Sequence, residues 1–294
     1  MSWWFYLLAA TPAVIWGFSP IISKRALSEG GNHIQASFIL VVVCGLIYWG
    51  VLLTTQPPAV LFSNFSPGLI GIFIFGGVVG TACGRLAAFT GVDKVGASMA
   101  NVAISTRPFF SGALAIGLLG ESITPDTGLG IIFVVIGLII LSRARGGDKS
   151  GWKKTDLIYP LIAAIAFGVG NVIRRWGLTQ YQATALEAVA LNEVGAFVVM
   201  GGYLFFTKRK VLEGVDFKNS GLFVIHGCLT ATALFAMFEA LRLGPVVLVD
   251  PLSSLAPLFT AFFSYLFLKD LERVTKGIVG GAILVVIGVI LITL

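Results

Sequence analysis

Trp16-Gly17-Phe18-Ser19-Pro20-Ile21-Ile22-Ser23-Lys24-Arg25-Ala26-Leu27 recurs later in the chain as Phe167-Gly168-Val169-Gly170-Asn171-Val172-Ile173-Arg174-Arg175-Trp176-Gly177-Leu178. Each copy stands in a half of the chain that holds five apolar runs of membrane-spanning length. Five is odd, so the second half must enter the bilayer from the face opposite the first. Inverted repeats of this kind place a substrate site near the bilayer midplane and expose it to each side in turn.

The composition agrees with a chain that lives in lipid. Of 294 residues, 57% are hydrophobic and 12% charged, and the mean hydropathy is +0.95. A soluble domain carries about 25% charged residues. The surface of this protein must therefore face hydrocarbon, and it is read as an all-α integral membrane protein.

A spanning helix needs about 20 mainly apolar residues. The sequence predicts ten, over residues 3–23, 35–54, 68–89, 96–119, 125–142, 157–176, 184–206, 221–241, 245–268 and 274–294. Asp93-Lys94, Glu121-Ser122 and Leu243-Gly244-Pro245 separate runs that would otherwise merge. The polar, Gly-rich connection near the centre divides the chain into a first five-helix repeat (1–143), a basic linker (144–155) and a second, inverted repeat (156–294). A shift of 149 residues pairs Thr81 with Thr230, Asn101 with Asp250, Ser105 with Ser254, Pro108 with Pro257 and Glu121 with Asp270. Val134-Val135-Ile136-Gly137 answers Val285-Val286-Ile287-Gly288 in the same order. Gly76/Gly80 and Gly277/Gly281, at GxxxG spacing, read as helix-packing residues.

The net charge of +6 and pI near 9.3 do not point to nucleic acid, because Lys and Arg lie mostly in short connections where they anchor helix ends at anionic lipid. Fifteen of the 20 basic residues fall on one face of the ten-crossing topology, against Arg174, Arg175 and Arg242 on the other. The positive-inside rule then puts both termini outside. Cys44, Cys83 and Cys228 lie inside apolar runs and form no CxxC, so they read as small buried apolar residues. The start of the chain lacks a basic n-region and a nearby cleavage site, and reads as a retained first helix.

The block from Trp16 to Lys24 resembles the EamA-like branch of the drug/metabolite transporter superfamily. So do Pro108-Phe109-Phe110 followed by Gly120-Glu121, and Ala240-Leu241-Arg242-Leu243-Gly244-Pro245 continuing through Pro251 and Pro257. The likeness covers nearly the whole chain as two EamA-type repeats. It implies a ten-helix secondary transporter of small metabolites in the plasma or inner membrane, with helices one to four and six to nine enclosing a central cavity and five and ten supporting the outside. An exporter of amino acids, aromatic ones among them, or of related compounds is the leading expectation. Broad-specificity drug efflux and nucleotide-sugar-type exchange are the alternatives. Family members commonly keep both termini in the cytoplasm, opposite to the charge count here.

Charges inside hydrocarbon cost roughly 2.5–3.5 kcal/mol on insertion scales unless they face protein or water, so they mark candidate sites. Arg107 in the fourth helix and Glu193 in the seventh are expected to line a wet cavity and meet a charged group of the substrate; a fixed ion pair between helices is the other reading. Asp250, flanked by Pro251, either couples transport to a proton or caps a broken helix. Trp16, Ser19, Thr81, Arg85, Asn101, Ser105, Asn171, Thr230, Phe238, Ser253 and Ser254 complete the cavity set, the aromatics either stacking on substrate or packing. Gly17, Pro20, Lys24, Gly168, Gly170 and Arg175 are gate candidates: glycine and proline weaken a helix, and Lys24 and Arg175 could hold closed states by pairing with acids. A static kink with snorkelling side chains is the alternative there.

No metal-ligand spacing, Walker A loop or Gly-x-Ser-x-Gly occurs, so no metal, cofactor or nucleotide-driven pumping is expected. The expected partners are a small-molecule substrate, membrane lipid and, through Asp250, a proton. The sequence leaves the oligomeric state open and is compatible with a monomer. A membrane enzyme of unknown type is the alternative from another class.

Overall fold

The computed structural model describes residues 1–27, 33–95, 97–144, 152–207, 217–267 and 276–293. Ten apolar helical segments run through it, numbered here α1 to α10. They are α1 (Trp3–Leu27), α2 (His33–Thr55), α3 (Pro67–Val95), α4 (Ala97–Ile104 and Arg107–Leu119) and α5 (Pro125–Ala144). The second half supplies α6 (Ile158–Gln180), α7 (Ala185–Phe206), α8 (Phe217–Leu243), α9 (Val246–Ser253 and Ala256–Phe267) and α10 (Lys276–Thr293). No strand occurs among the described residues. A short helix, Pro58–Asn64, which the hydropathy pattern did not suggest, follows α2; its proline at the first turn costs nothing because that N–H has no helical partner. Residues 145–151 of the linker, and Asp270, lie outside the described residues.

Local chemistry sets several helix starts. Ser66 accepts from the Leu69 N–H at 3.2 Å and precedes Pro67, opening α3. Thr184 and Glu187 form a reciprocal capping box at α7, the hydroxyl accepting from the Glu187 N–H and the carboxylate from the Thr184 N–H. Glu187 is thus engaged at a helix end.

Two spans are broken in matching places. In α4 the break falls at Ser105-Thr106, and in α9 at Ser254-Leu255, which the 149-residue shift superimposes. The hydrogen bonds match too. Ser105 donates through N–H and hydroxyl to the Asn101 carbonyl (2.9 and 2.7 Å), and Ser254 does the same to the Asp250 carbonyl (3.0 and 2.7 Å). Pro108 and Pro257 follow each break and have no N–H to return to the carbonyl four residues back. Pro251 sits inside the first half of α9 without interrupting it, so the break that the sequence allowed there is displaced to the following turn.

Helices five and ten cross at glycines. A Cβ on Gly130 would lie 2.6 Å from the Gly288 carbonyl oxygen, and one on Gly137 would lie 2.7 Å from that of Gly281. The repeat match sends Gly137 to Gly288, so the two contacts are one contact seen twice, as a two-fold relation between the halves requires. Elsewhere α1 packs on α8, and α3 and α6 on each other. In lipid such close approach supplies the packing that apolar side chains alone do not.

The cysteine expectation holds for Cys44, which is buried and donates to the Gly227 carbonyl at 3.5 Å. It fails for Cys83 and Cys228, which are free and exposed on helix surfaces. In lipid the outer face of a span is as apolar as the core, so hydropathy cannot tell the two apart.

Candidate functional site

Five helices contribute to one buried chain of polar side chains, running from the break in α9 to the middle of α7. It begins at Arg107, the first residue after the break in α4. The Arg107 guanidinium lies 2.9 Å from the Asp250 carboxylate through Nε and donates through Nη2 to the hydroxyls of Ser253 (2.9 Å) and Ser254 (2.6 Å). It also reaches the Asp250 carbonyl at 3.3 Å. Asp250, fully buried, accepts from the Asn171 amide at 2.7 Å. The Asn171 oxygen in turn accepts from Arg174 Nη1 at 2.8 Å.

Arg174 is the hub. It is 3% exposed, and its remaining nitrogens donate to Asn192 Oδ1 (3.0 Å, from Nε) and Thr81 Oγ1 (2.7 Å, from Nη2). Its guanidinium lies 5.3 Å from the centroid of the Phe238 ring. Asn192 donates to Thr81 at 3.0 Å and to Glu193 Oε1 at 3.2 Å, which ends the chain at a buried carboxylate.

Backbone geometry makes these meetings possible. Thr81 lies in a π-helical turn of α3, Gly77–Cys83, where the wider winding displaces side chains from the ordinary helical face. Gly77 abuts the Asn192 carbonyl, with a Cβ there falling 1.9 Å from its oxygen. At Gly80 and Gly170 the backbones of α3 and α6 touch; a Cβ on Gly170 would lie 2.4 Å from Gly80 Cα. Glycines thus bring three helices close enough for short polar side chains to bridge them.

Arg107 and Glu193, expected to act together, occupy opposite ends of the chain and do not touch. Arg107 is bound in the interhelical ion pair with Asp250, the alternative reading of its charge. Asp250 does not cap its own helix with its carboxylate; it faces Arg107 and Asn171. Its Oδ2, Glu193 Oε2, Arg85 Nη1 and the Thr230 hydroxyl are buried atoms without a hydrogen-bond partner. Arg85 is half-buried. Ser105, Ser253 and Ser254 serve the helix breaks, Asn101 is exposed, and Trp16 is half-buried against the core. The side chains of Ser19, Pro20 and Lys24 lie outside the described residues.

Arg174 and Asn192 were passed over. The sequence assigns Arg174 to the membrane surface beside Arg175 and Arg242; the structure buries it. Helix α6 runs to Gln180 rather than 176, so Arg174 sits a turn deeper than its expected end. The spacing Asn171–Arg174, one helical turn on one face, was the available signal. Asn192 was hidden behind its charged neighbour.

The gate candidates divide. Gly17 and Pro20 lie within the unbroken α1, and Gly168 and Gly170 within the unbroken α6, where the last two allow close approach to Ser111 and Gly80. Continuous helical winding through both segments leaves their bend at Gly17, Pro20, Gly168 and Gly170 as an expectation, and Pro20 returns no N–H to the carbonyl four residues back. Arg175 is different. It donates to the last carbonyls of α8, Leu241 at 2.7 Å and Arg242 at 3.0 Å, and its Nε lies 3.9 Å from Glu121. Glu121 accepts from the Val246 and Val247 N–H groups (2.9 and 3.1 Å), the first donors of α9. Gly120, with φ of 67°, turns the chain at the end of α4 so that Glu121 can reach them. Glu121 and Arg175 together clasp the α8–α9 turn.

The sequence profile of the EamA-like transporter family matches residues 3–143 and again 155–294. An uncharacterized transporter of Archaeoglobus fulgidus is 22% identical over 98% of this chain and 97% of its own length. A WAT1-related chloroplastic protein of Arabidopsis thaliana is 23% identical over 88% of the chain, and an uncharacterized transporter of Clostridium kluyveri is 30% identical over 45%. The matches span 63% and 42% of those two relatives' own lengths. A solved crystal structure, 16% identical, shares the fold with a TM-score of 0.82 over 98% of this chain and 96% of its own. With the profile matching both halves, the chain belongs to the EamA-like transporter family as a multi-pass membrane protein of two inverted five-helix repeats.

Proposed function

We propose that the protein exports small zwitterionic metabolites, amino acids first among them, across the cell membrane by alternating access. One observation carries this reading: Arg174 and Glu193, buried inside the helix bundle, each lack an opposite charge in contact among the described residues, while the other buried charges, Arg107 and Asp250, form an ion pair. A buried charge left in neutral company is costly and is retained for use. Arg174 still has N–H groups to offer a carboxylate, and Glu193 Oε2 is free to accept from an ammonium. An α-amino acid carries both groups on one carbon, and the cage of Asn171, Asn192 and Thr81 holds Arg174 ready for it.

Movement follows from the clasp at Glu121 and Arg175, which ties α4, α6, α8 and α9 together at one face in this conformation. Its release opens that face, with the breaks in α4 and α9 as the flexing points. Gly17, Pro20 and Lys24, the repeat partners of Gly168, Asn171 and Arg175, are assigned the answering motion in α1. Asp250 Oδ2, unpartnered beside Arg107, is the proton-coupling group.

Flux of labelled amino acids, nucleosides and sugar nucleotides in proteoliposomes, with and without a pH gradient, tests the reading. Amino-acid flux that Arg174→Gln abolishes in folded protein is the expected result. Flux confined to sugar nucleotides, or amino-acid flux untouched by Arg174→Gln, overturns it.

A further inference from the structure

Two donors in the bundle interior are used neither by the buried polar chain nor by the helices that carry them. Arg85 stands one turn beyond Thr81 on α3, and its Nη1 is closed off from solvent yet meets no acceptor. Thr230, 2% exposed on α8, has a hydroxyl without a partner. Other helix threonines show what is missing there. Thr11, Thr90 and Thr232 each donate to the carbonyl four residues back, at 2.8, 2.8 and 3.1 Å. Thr230 does not make that bond to the His226 carbonyl. Buried donors without an acceptor are costly, so two of them in one interior mark a place where an acceptor belongs.

Both donors lie toward the hub. Arg85 is within electrostatic reach of Arg174 on α6, of Glu193 on α7, and of His226, one turn before Thr230 on α8. Phe238, whose ring faces the Arg174 guanidinium, follows Thr230 by about 12 Å at the helical rise. Charge makes the same point. Among the described residues around the hub, Arg85, Arg107 and Arg174 stand against two carboxylates, Glu193 and Asp250. Arg107 and Asp250 pair with each other, and Glu193 alone serves both Arg85 and Arg174. One positive charge is left over. A neutral zwitterion brings as much negative charge as positive and leaves that excess standing, whereas an amino acid with a second carboxylate cancels it.

We infer that Arg85 and Thr230 form a subsite for the side-chain carboxylate of an acidic α-amino acid, whose α-carboxylate and ammonium are taken by Arg174 and Glu193. The inference rests on the transport reading above and names the substrate class of that site. Arg85 Nη1 donates to one oxygen of the second carboxylate and the Thr230 hydroxyl to the other. A side-chain amide offers Arg85 only a neutral oxygen, and an apolar side chain strands both donors, so each is selected against. The same residues allow one other arrangement, a fixed pair of Arg85 and Glu193 bridged by water. That pair makes Arg85 indifferent to what the side chain of the substrate carries.

Equilibrium binding of labelled glutamate, glutamine and glutamate γ-methyl ester to the full chain in phosphatidylcholine nanodiscs tests this. Wild-type protein is expected to bind glutamate about ten-fold or more tightly than the other two, the worth of one charge-assisted contact. That ranking needs no variant, so it decides the matter even where a substituted protein folds poorly. Arg85→Gln is expected to erase the preference by weakening glutamate alone about ten-fold, and Arg85→Lys to keep part of it. Glutamine bound as tightly as glutamate by the wild type overturns the inference and leaves the zwitterion reading in place. Equal loss of glutamate and glutamine in folded Arg85→Gln overturns it too, and assigns Arg85 to the fixed pair with Glu193. Binding of none of the three overturns the inference, while the flux panel above decides the zwitterion reading by itself.

Discussion

Arg107→Gln separates a brace from an open binding group. Arg107 and Asp250 lie 2.9 Å apart with side chains 11% and 0% exposed, and Asp250 Oδ2 already lacks a hydrogen-bond partner. With Arg107 gone, Asp250 keeps only the Asn171 amide, and its charge has no counterpart in contact. Breaking a buried pair from one side costs about 3–5 kcal/mol, because the penalty is that of the stranded ion rather than of the lost bond. Asp250→Asn strands Arg107 instead, with Ser253 and Ser254 as its consolation, and belongs at the lower end of that range. Removing both charges strands neither. The double variant Arg107→Gln/Asp250→Asn is therefore expected to recover most of the loss, because two amides can still hydrogen-bond across the same gap.

Reversible unfolding in mixed micelles, driven by dodecyl sulfate and followed by helical circular dichroism, reads these differences directly. At about 1.4 kcal/mol per ten-fold, the single variants shift the unfolding constant by roughly two to three and a half orders of magnitude. Single-variant losses below about 1 kcal/mol, or a double variant whose loss equals the sum of the singles, would refute the reasoning. In that case water must reach Arg107 and Asp250 and screen them from each other.

Three further outcomes follow from packing and capping. Gly170→Ala puts a methyl 2.4 Å from Gly80 Cα and should destabilise by about 1–3 kcal/mol, whereas Gly202→Ala, with open space around it, should be neutral or gain up to about 1 kcal/mol in thermal unfolding. Glu121→Ala releases the Val246 and Val247 N–H groups, costs about 1 kcal/mol, and should speed hydrogen exchange at the start of α9 while leaving α7 unchanged. Gly137→Leu and Gly288→Leu should destabilise alike in the same assay; a large difference between them would deny the two-fold relation of α5 and α10.

Hydropathy made the ten spans and their duplication legible, because a bilayer demands apolar runs and little else of an outward surface. Pro251 foretold an irregular α9, though its break lies at Ser254-Leu255, and the matching break in α4 at Ser105-Thr106 was not foreseen. The site was half legible. Arg107, Glu193, Asp250, Asn171 and Thr81 stand out as polar residues within apolar runs, and all five fall on the buried chain. Their partners were not legible, because pairing depends on which helix faces which. Arg174 needed the end of α6 fixed to within a turn. The approach of Asn192 to Thr81 needed the π-helical turn at Gly77–Cys83, which no periodicity reports. Repeat matching also misled at one point: Lys24 aligns with Arg175, drawing attention to the arginine that clasps a turn and away from its neighbour at the hub.

Symmetry in this molecule stops where the chemistry begins. The hydrogen bonds at the two helix breaks correspond one for one, and the glycine crossings of α5 and α10 exchange under the same relation. The charges do not correspond. The repeat places Asn101 opposite Asp250, Ala256 opposite Arg107 and Ser23 opposite Arg174. A duplicated scaffold gives a two-state carrier end states built from the same contacts, so their energies lie close together and a modest binding energy can shift between them. Duplicated charges would give each bundle its own ligand, and no ligand would need to bridge them. On the alternating-access reading proposed above, a single set, drawn from α3, α4, α6, α7 and α9, would give one site that both bundles share, and only a shared site couples the motion of one bundle against the other to the passage of a substrate.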